Sequence, residues 1–452
     1  MGVILAIVAL SVTFWLARRS LVDGLCSVLT FGYAFGILRA NFPETASYFI
    51  FDAAVLGLYA AQSRLITQPF TTQDGQRMKH FVVFLMLWPL LLFLWPQQDP
   101  LVQLVGLRGN MFLLPFILIG ARMTDNQRYR VALWMAVLNL AAFGFGTAEY
   151  IFGIQRFFPA NAITDLIYRS NDVGLTGAYR IPAVFSNAHS YGGMMVMSLP
   201  WIAGSWVQRH RKVWHKNVLL AGVLAAILGV FMSAARTHFV TLILLLTVFT
   251  FSTRLRPVYR VGWLMVLLLV GYIVANNERM QRFTTLSDSE FVSFRVQSSV
   301  NVSLLDAVTQ YPFGVGLGGG GTSIPYFLAD KVEQPMAIES ELGRIQLEMG
   351  IIGAAAWIAF VLWIVTRPRV HRGDPWFLGI RLAWFACMAF LIIGLIGTGL
   401  FTAIPCSPVF LLSLGWVCTQ HTKRVPMLVR VPVRRPNQQL MWVTRQVGVI
   451  RT

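Results

Sequence analysis

Four arginines stand in or beside long apolar runs: Arg180, Arg236, Arg295 and Arg344. A charge there is costly unless it faces a wet cavity or a partner. A guanidinium fork matches phosphate oxygens with two parallel N–H bonds, so these side chains are candidates for gripping a phosphate-bearing ligand. Each can equally be read as snorkelling to headgroups or pairing with a carboxylate. Arg236 sits in a very short link between two apolar runs and has little freedom to reach bulk water. Glu339, Glu341 and His189 are of types that can take a proton from an attacking hydroxyl. His189 follows Asn187 near an expected helix start, where an imidazole serves as base or as hydrogen-bond partner. Arg108 and Asn110 precede another apolar run, where they either face a cavity or mark a membrane boundary.

The stretch QYPFGVGLGGGGTSIP, residues 310–325, holds a literal G-x-G-x-x-G at Gly314, Gly316 and Gly319. A dinucleotide site needs a buried strand before that string and an amphipathic helix after it, and neither pattern is present. No Lys-Ser or Lys-Thr follows, which excludes a P-loop. Two readings remain. The glycines allow a tightly reversing backbone, or they let bare amides face an anion such as a lipid diphosphate.

The elements that must position these residues are membrane helices. The chain has 452 residues, of which 56% are hydrophobic and 12% charged, where a soluble globular chain has roughly 25% charged. A span needs about 20 mainly apolar residues. That criterion predicts about 12–13 transmembrane helices, near 1–17, 21–39, 47–62, 80–96, 102–121, 131–153, 187–207, 217–233, 237–252, 261–276, 344–366, 376–397 and 402–420. The expected fold is an all-α polytopic membrane protein. A transmembrane domain covers 1–421 and a basic tail 422–452, the latter membrane-hugging or without structure of its own. The first segment is apolar and then basic, the reverse of a secretory signal, and is expected to be a retained helix.

The formal net charge of +18 is distributed as an orientation signal. Most of the 37 lysines and arginines fall in alternate loops, such as Arg18–Arg19, Arg64–Lys79, Arg122–Arg130 and Arg209–Lys216, and in the tail. This predicts a cytoplasmic C-terminus and excludes a nucleic-acid patch, which would cluster on one soluble domain. The long loops 154–186 and 277–343 are then external, and loops of such length are usually functional. The second is long enough for short helices. No outward loop holds a D-x-D pair, and the four cysteines lack metal-binding spacing. Neither a metal nor a cofactor is expected.

Four segments in order resemble the O-antigen ligase and Wzy-type polysaccharide polymerase superfamily. They are YRIPAVFSNAHSYGGMM (179–195), MSAARTHFV (232–240), FRVQSSVNVSLLDAVTQYPFGVGLGGG (294–320) and ESELGRIQLEMGIIG (339–353). The resemblance covers about 180–355. It implies transfer of glycan from undecaprenyl diphosphate on the outer face of the bacterial inner membrane. Arg180, Arg236, Arg295 and Arg344 would hold the diphosphate. Glu339, which stands at the position of the ligases' histidine, or His189 or Glu341 would be the base. That departure at Glu339 and Ser340 points to polymerisation of lipid-linked repeat units into exopolysaccharide or O-antigen rather than ligation to lipid A core. The implied partners are the undecaprenyl-diphosphate-linked oligosaccharide, membrane lipids, and flippase and chain-length regulator proteins. A glycan transporter is the alternative of another class, but such folds usually show internal repeats and helices broken near the midplane, and no repeat is visible.

Overall fold

A computed structural model of the chain describes residues 1–169, 179–208, 212–252, 257–276, 289–290, 293–294, 306–320, 324–333, 340–367, 374–397, 399–419, 427–433 and 441–447. Arg295 and Glu339 lie outside the described residues. The architecture is all-α through the apolar part of the chain. The helices are α1 (Gly2–Arg19), α2 (Leu21–Asn41), α3 (Ile50–Thr67, entered through a 3-10 turn at Thr45–Phe49), α4 (Gln73–Phe93), α5 (Pro100–Met111) and α6 (Pro115–Arg122). They continue as α7 (Asp125–Phe152), the short α8 (Asp165–Arg169), α9 (Ala188–Trp206), α10 (Val213–Ser233), α11 (Arg236–Ser252) and α12 (Pro257–Asn276). After the one-turn α13 (Asp306–Gln310) come α14 (Glu341–Val365), α15 (Phe377–Ile396) and α16 (Cys406–Thr419).

Among the described residues, 9 helical segments are long and apolar enough to cross a membrane, with the turn before α3 and the α5–α6 pair each counted within one segment. The shorter α11 and α16 are also apolar. With α9 and α12, every span expected from hydropathy is helical. Polar caps set the starts. Ser20 Oγ accepts from the Asp23 N–H at 3.1 Å, and Thr72 Oγ1 from the Gly75 N–H at 3.2 Å. Thr124 and Gln127 cap each other reciprocally at the head of α7.

Two helices form the centre. Every residue described in α16 from Cys406 to Cys418 is buried, as is nearly all of α9. A helix that is apolar all round must be enclosed, and here α7, α10 and α15 pack on α9 while α6 packs on α16. The outer helices present Ile7, Leu56, Leu87, Leu104, Leu228 and Leu362 to the surroundings, as a lipid-facing surface requires.

Among the described residues, charged side chains of several loops meet at one end of the bundle. There Arg130 pairs with Asp23 at 2.8 Å and Arg367 with Asp74 at 2.5 Å. Tyr129 shares a hydrogen bond of 2.9 Å with His215. The start of α9, the start of α11, the start of α14 and the end of α15 lie at the opposite end.

The glycine stretch folds back into the bundle. Helix α14 breaks at Gly350, whose φ is +66°. Residues 312–315 fill the break. The Ile351 N–H donates to the Pro312 carbonyl at 2.9 Å, and the Leu347 carbonyl accepts from the Val315 N–H at 2.7 Å. The Met349 carbonyl accepts from Trp88 Nε1 at 2.9 Å. Irregular backbone at membrane depth is tolerated only when its polar groups are satisfied by protein or water, and these bonds satisfy them. Replacing Gly350 by alanine forces a side chain into the left-handed region and puts Cβ 2.8 Å from the Phe313 backbone. The expected cost is about 1–2 kcal/mol for the backbone alone. Purified Gly350→Ala should melt several degrees below wild type in detergent; an unchanged melting temperature would show that the loop is not locked into the helix.

The tail departs from expectation. Met427–Val433 and Met441–Val447 form two antiparallel strands, with Met427 opposite Val447 and Val433 opposite Met441. The sequences MLVRVPV and MWVTRQV are rich in β-branched residues, the composition that suits a strand.

Candidate functional site

The first two segments singled out by sequence meet at the end of the bundle opposite the basic loops. Asn187 caps α9 by accepting the Ser190 N–H at 2.8 Å. This fixes His189 in the first turn, with its ring centroid 4.3 Å from that of His238. His238 is the third residue of α11 and is 1% exposed. Its other side stacks on Phe390 of α15, with centroids 5.5 Å apart. Gly192 and Gly193 make this approach possible. A Cβ on Gly193 would lie 3.2 Å from His238 Nε2, and one on Gly192 would lie 2.6 Å from Ser233 Oγ.

Arg180 reaches the same corner. Its Nε donates to the Ser233 carbonyl at 3.2 Å. Ser233 ends α10, and Ala234, left-handed at φ +47°, turns the chain directly into Arg236 at the head of α11. The exposed carbonyls of a helix C-terminus carry partial negative charge and attract a guanidinium. Arg180, His189 and Arg236 are all half-buried, so a ligand can approach them. These elements therefore place the Arg180 guanidinium and two imidazoles in one corner, with Arg236 at the head of α11 next to it.

Glu149, near the end of α7, supports that corner from beneath. It is 1% exposed, and its Oε2 accepts the Ala183 N–H at 2.8 Å. Ala183 sits at φ +52°, a conformation unfavourable for alanine, and the carboxylate secures it. The turn is also clamped by Phe185, which stacks on Tyr191 at 5.4 Å and contacts Tyr33 at 5.0 Å.

Arg344 and Glu341 do not join this corner. Arg344 is 0% exposed. Its Nη2 donates to Glu341 Oε1 at 2.7 Å, and its Nη1 donates to Glu348 Oε2 at 2.7 Å and to Asn110 Oδ1 at 3.2 Å. Asn110 Nδ2 donates to the same Glu348 oxygen at 2.5 Å. Glu341 Oε2 accepts the N–H groups of Gly399 and Leu400 at 2.7 and 3.2 Å. The guanidinium is held by both carboxylates and Asn110, and both Glu341 oxygens are engaged. Arg344 is thus not available to a diphosphate, and Glu341 is not available as a base; they tie α14 to α5 and to the turn after α15. The spacing was the missed signal: positions 341, 344 and 348 lie three and four residues apart on one helical face.

The anion-facing reading of the glycines fails here as well. The Gly318 N–H faces the Glu348 carboxylate, and residues 316–320 are buried. The anion that this loop meets belongs to the protein. Among the described residues no cluster of three or more His, Cys, Asp or Glu could hold a metal ion.

No protein-family model and no curated protein sequence matches the chain. Function must therefore be argued from the corner itself. His238 and Glu149 are the members that sequence reasoning did not name. The histidine lies inside MSAARTHFV (232–240), two residues after Arg236, but nothing local tells that its ring meets His189. Glu149 lies in an ordinary apolar run, and an intramembrane carboxylate is itself a functional or structural flag.

Proposed function

We propose that the chain is a metal-independent glycosyltransferase that polymerises undecaprenyl-diphosphate-linked oligosaccharide at the outer face of the bacterial inner membrane, with its C-terminus in the cytoplasm. The observation that carries this is the convergence of Arg180, His189 and His238 at one end of the bundle, where Arg236 heads α11. The positive-inside pattern of the sequence supports reading that end as the external one.

In this reading Arg180 and Arg236 hold the donor's diphosphate. An acceptor hydroxyl oxygen attacks the anomeric carbon, and the bond from that carbon to the diphosphate oxygen breaks. The electron pair leaves with the diphosphate, where the guanidinium groups offset the growing charge. The hydroxyl proton passes to His189. We assign the base to His189 because Glu341 is held by Arg344 and backbone amides. His238, wedged between His189 and Phe390, positions the ring.

The break in α14 is a feature that transporters share. Here its freed backbone groups are filled by residues 312–315 and by Trp88, so it builds no substrate or ion site. That favours the enzyme over a transporter.

The test incubates purified protein with lipid-linked repeat units. A ladder of chain lengths is the expected product. Transfer to a lipid A core acceptor alone would replace the polymerase by a ligase; movement across liposomes without new covalent product would replace it by a transporter. His189→Ala should reduce the ladder by about 10²–10⁴, the usual contribution of a general base. Glu339→Gln separates the two bases: loss of the acidic limb of the pH–rate profile in that variant, with His189→Ala active, would move the role to Glu339.

A further inference from the structure

Arg39 lies near the external end of α2. Its guanidinium carbon is 4.8 Å from the Tyr48 ring centroid and 5.2 Å from that of Phe35. Stacking on rings uses the faces of a guanidinium and leaves its N–H bonds directed outward in its plane. Arg39 Nε is buried and meets no acceptor among the described residues. A buried donor without an acceptor is costly, so a structural role alone leaves this placement unexplained.

Arg108 stands close enough to act on Arg39 through its charge. Both of its bonds go to Asp52, Nε to Oδ2 at 2.5 Å and Nη2 to Oδ1 at 2.8 Å. The Arg108 charge is thereby cancelled within the pair, whereas no ion pair to Arg39 occurs among the described residues. Tyr48 also packs edge-on against Phe327 of the long external loop, with centroids 5.6 Å apart.

This corner adjoins the one that holds Arg180. The Ile37 N–H of α2 donates to the Val184 carbonyl at 3.1 Å. The same segment continues to Asn187, the cap that orients His189. Residues 184–187 thus touch α2 at Ile37, two residues before Arg39, and carry at Asn187 the cap of the helix that bears His189.

We propose that Arg39, backed by Tyr48 and the Arg108–Asp52 pair, is a second oxyanion site that holds the diphosphate of the acceptor lipid. The inference rests on the polymerase reading, because a reaction between two lipid-linked diphosphates needs two anionic ends held at one face of the bundle.

Native mass spectrometry of the full chain in detergent, with undecaprenyl diphosphate as the probe, counts the sites. Wild type should bind two molecules. Arg39→Gln should bind one, and Arg180→Ala should bind one. Arg39→Lys should recover the second event with an affinity lower by roughly tenfold, the ratio for losing one charge-assisted hydrogen bond. Asp52→Asn, which leaves the Arg108 charge uncancelled, should tighten it. Two bound molecules in a folded Arg39→Gln, with one in Arg180→Ala, would overturn the second site and leave the donor site standing. One in Arg39→Gln with two in Arg180→Ala would keep the Arg39 site and defeat the donor assignment. Displacement of the Arg39-dependent molecule by equimolar phosphatidylglycerol would show a general headgroup site and also overturn the proposal.

Discussion

Arg344→Ala should lower the stability of the protein by about 3–5 kcal/mol, the cost of breaking a buried ion pair by removing one partner. The variant leaves Glu341 and Glu348 facing each other with their shared cation gone. Glu341 keeps the amides of Gly399 and Leu400, but Glu348 keeps only Asn110 and the Gly318 N–H. The Arg344–Asn110 bond between α14 and α5 is lost as well, leaving Glu348–Asn110 to join the two helices. Thermal unfolding in detergent measures the effect. The triple variant Arg344→Leu, Glu341→Gln, Glu348→Gln should recover most of the loss, because a neutral set no longer carries uncompensated charge. A double-mutant cycle between Arg344 and Glu348 should give a coupling well above the noise of independent sites. If Arg344→Ala melts with wild type but abolishes binding of undecaprenyl diphosphate, the buried triad is not structural and the residue returns to the list of phosphate ligands.

The second large effect is on activity rather than on stability. Arg236→Ala and Arg180→Ala should each reduce polymer formation by about 10²–10³, the scale for losing one group that stabilises charge in the transition state. Both proteins should remain in the membrane at wild-type abundance. Arg236 heads α11 and Arg180 lies on the end of α10, so neither removal opens the packed core. The double variant should cost little more than either single one, since groups that act on one anion are not additive. Arg180→Lys should restore only part of the rate, because an ammonium keeps the charge but not the two-pronged donor. Quantitative polymer gels from membranes normalised for protein give the readout. Wild-type chain lengths and yield in both single variants would end the proposal that they hold the donor.

Much of the molecule was legible in one dimension because the bilayer simplifies the problem. A segment that must satisfy its backbone in lipid has to be helical and about 20 residues long. Every expected span is a helix for that reason. The glycines at 314 and 316 were legible too: positive φ at both is what a tight reversal requires. The tail was less so. Prolines and basic residues suggested a segment without structure, whereas period-two alternation of valines supports a paired strand.

The site was legible as a set of residue types but not as a set of partners. Sequence alone put Arg180 and Arg236 at or near helix ends and His189 near a helix start, since hydropathy and charge act locally. It ranked Arg344 and Glu341 beside them, because an intramembrane charge looks the same whether it awaits a ligand or already has a counter-ion. Only tertiary packing separated the cases. Asn110 comes from 234 residues away to meet Arg344, His238 meets His189 across two helices, and the loop at 312–315 meets the break at Gly350. Such pairings depend on which helix faces touch, and side-chain burial at those faces is decided by the whole bundle rather than by any single stretch of chain.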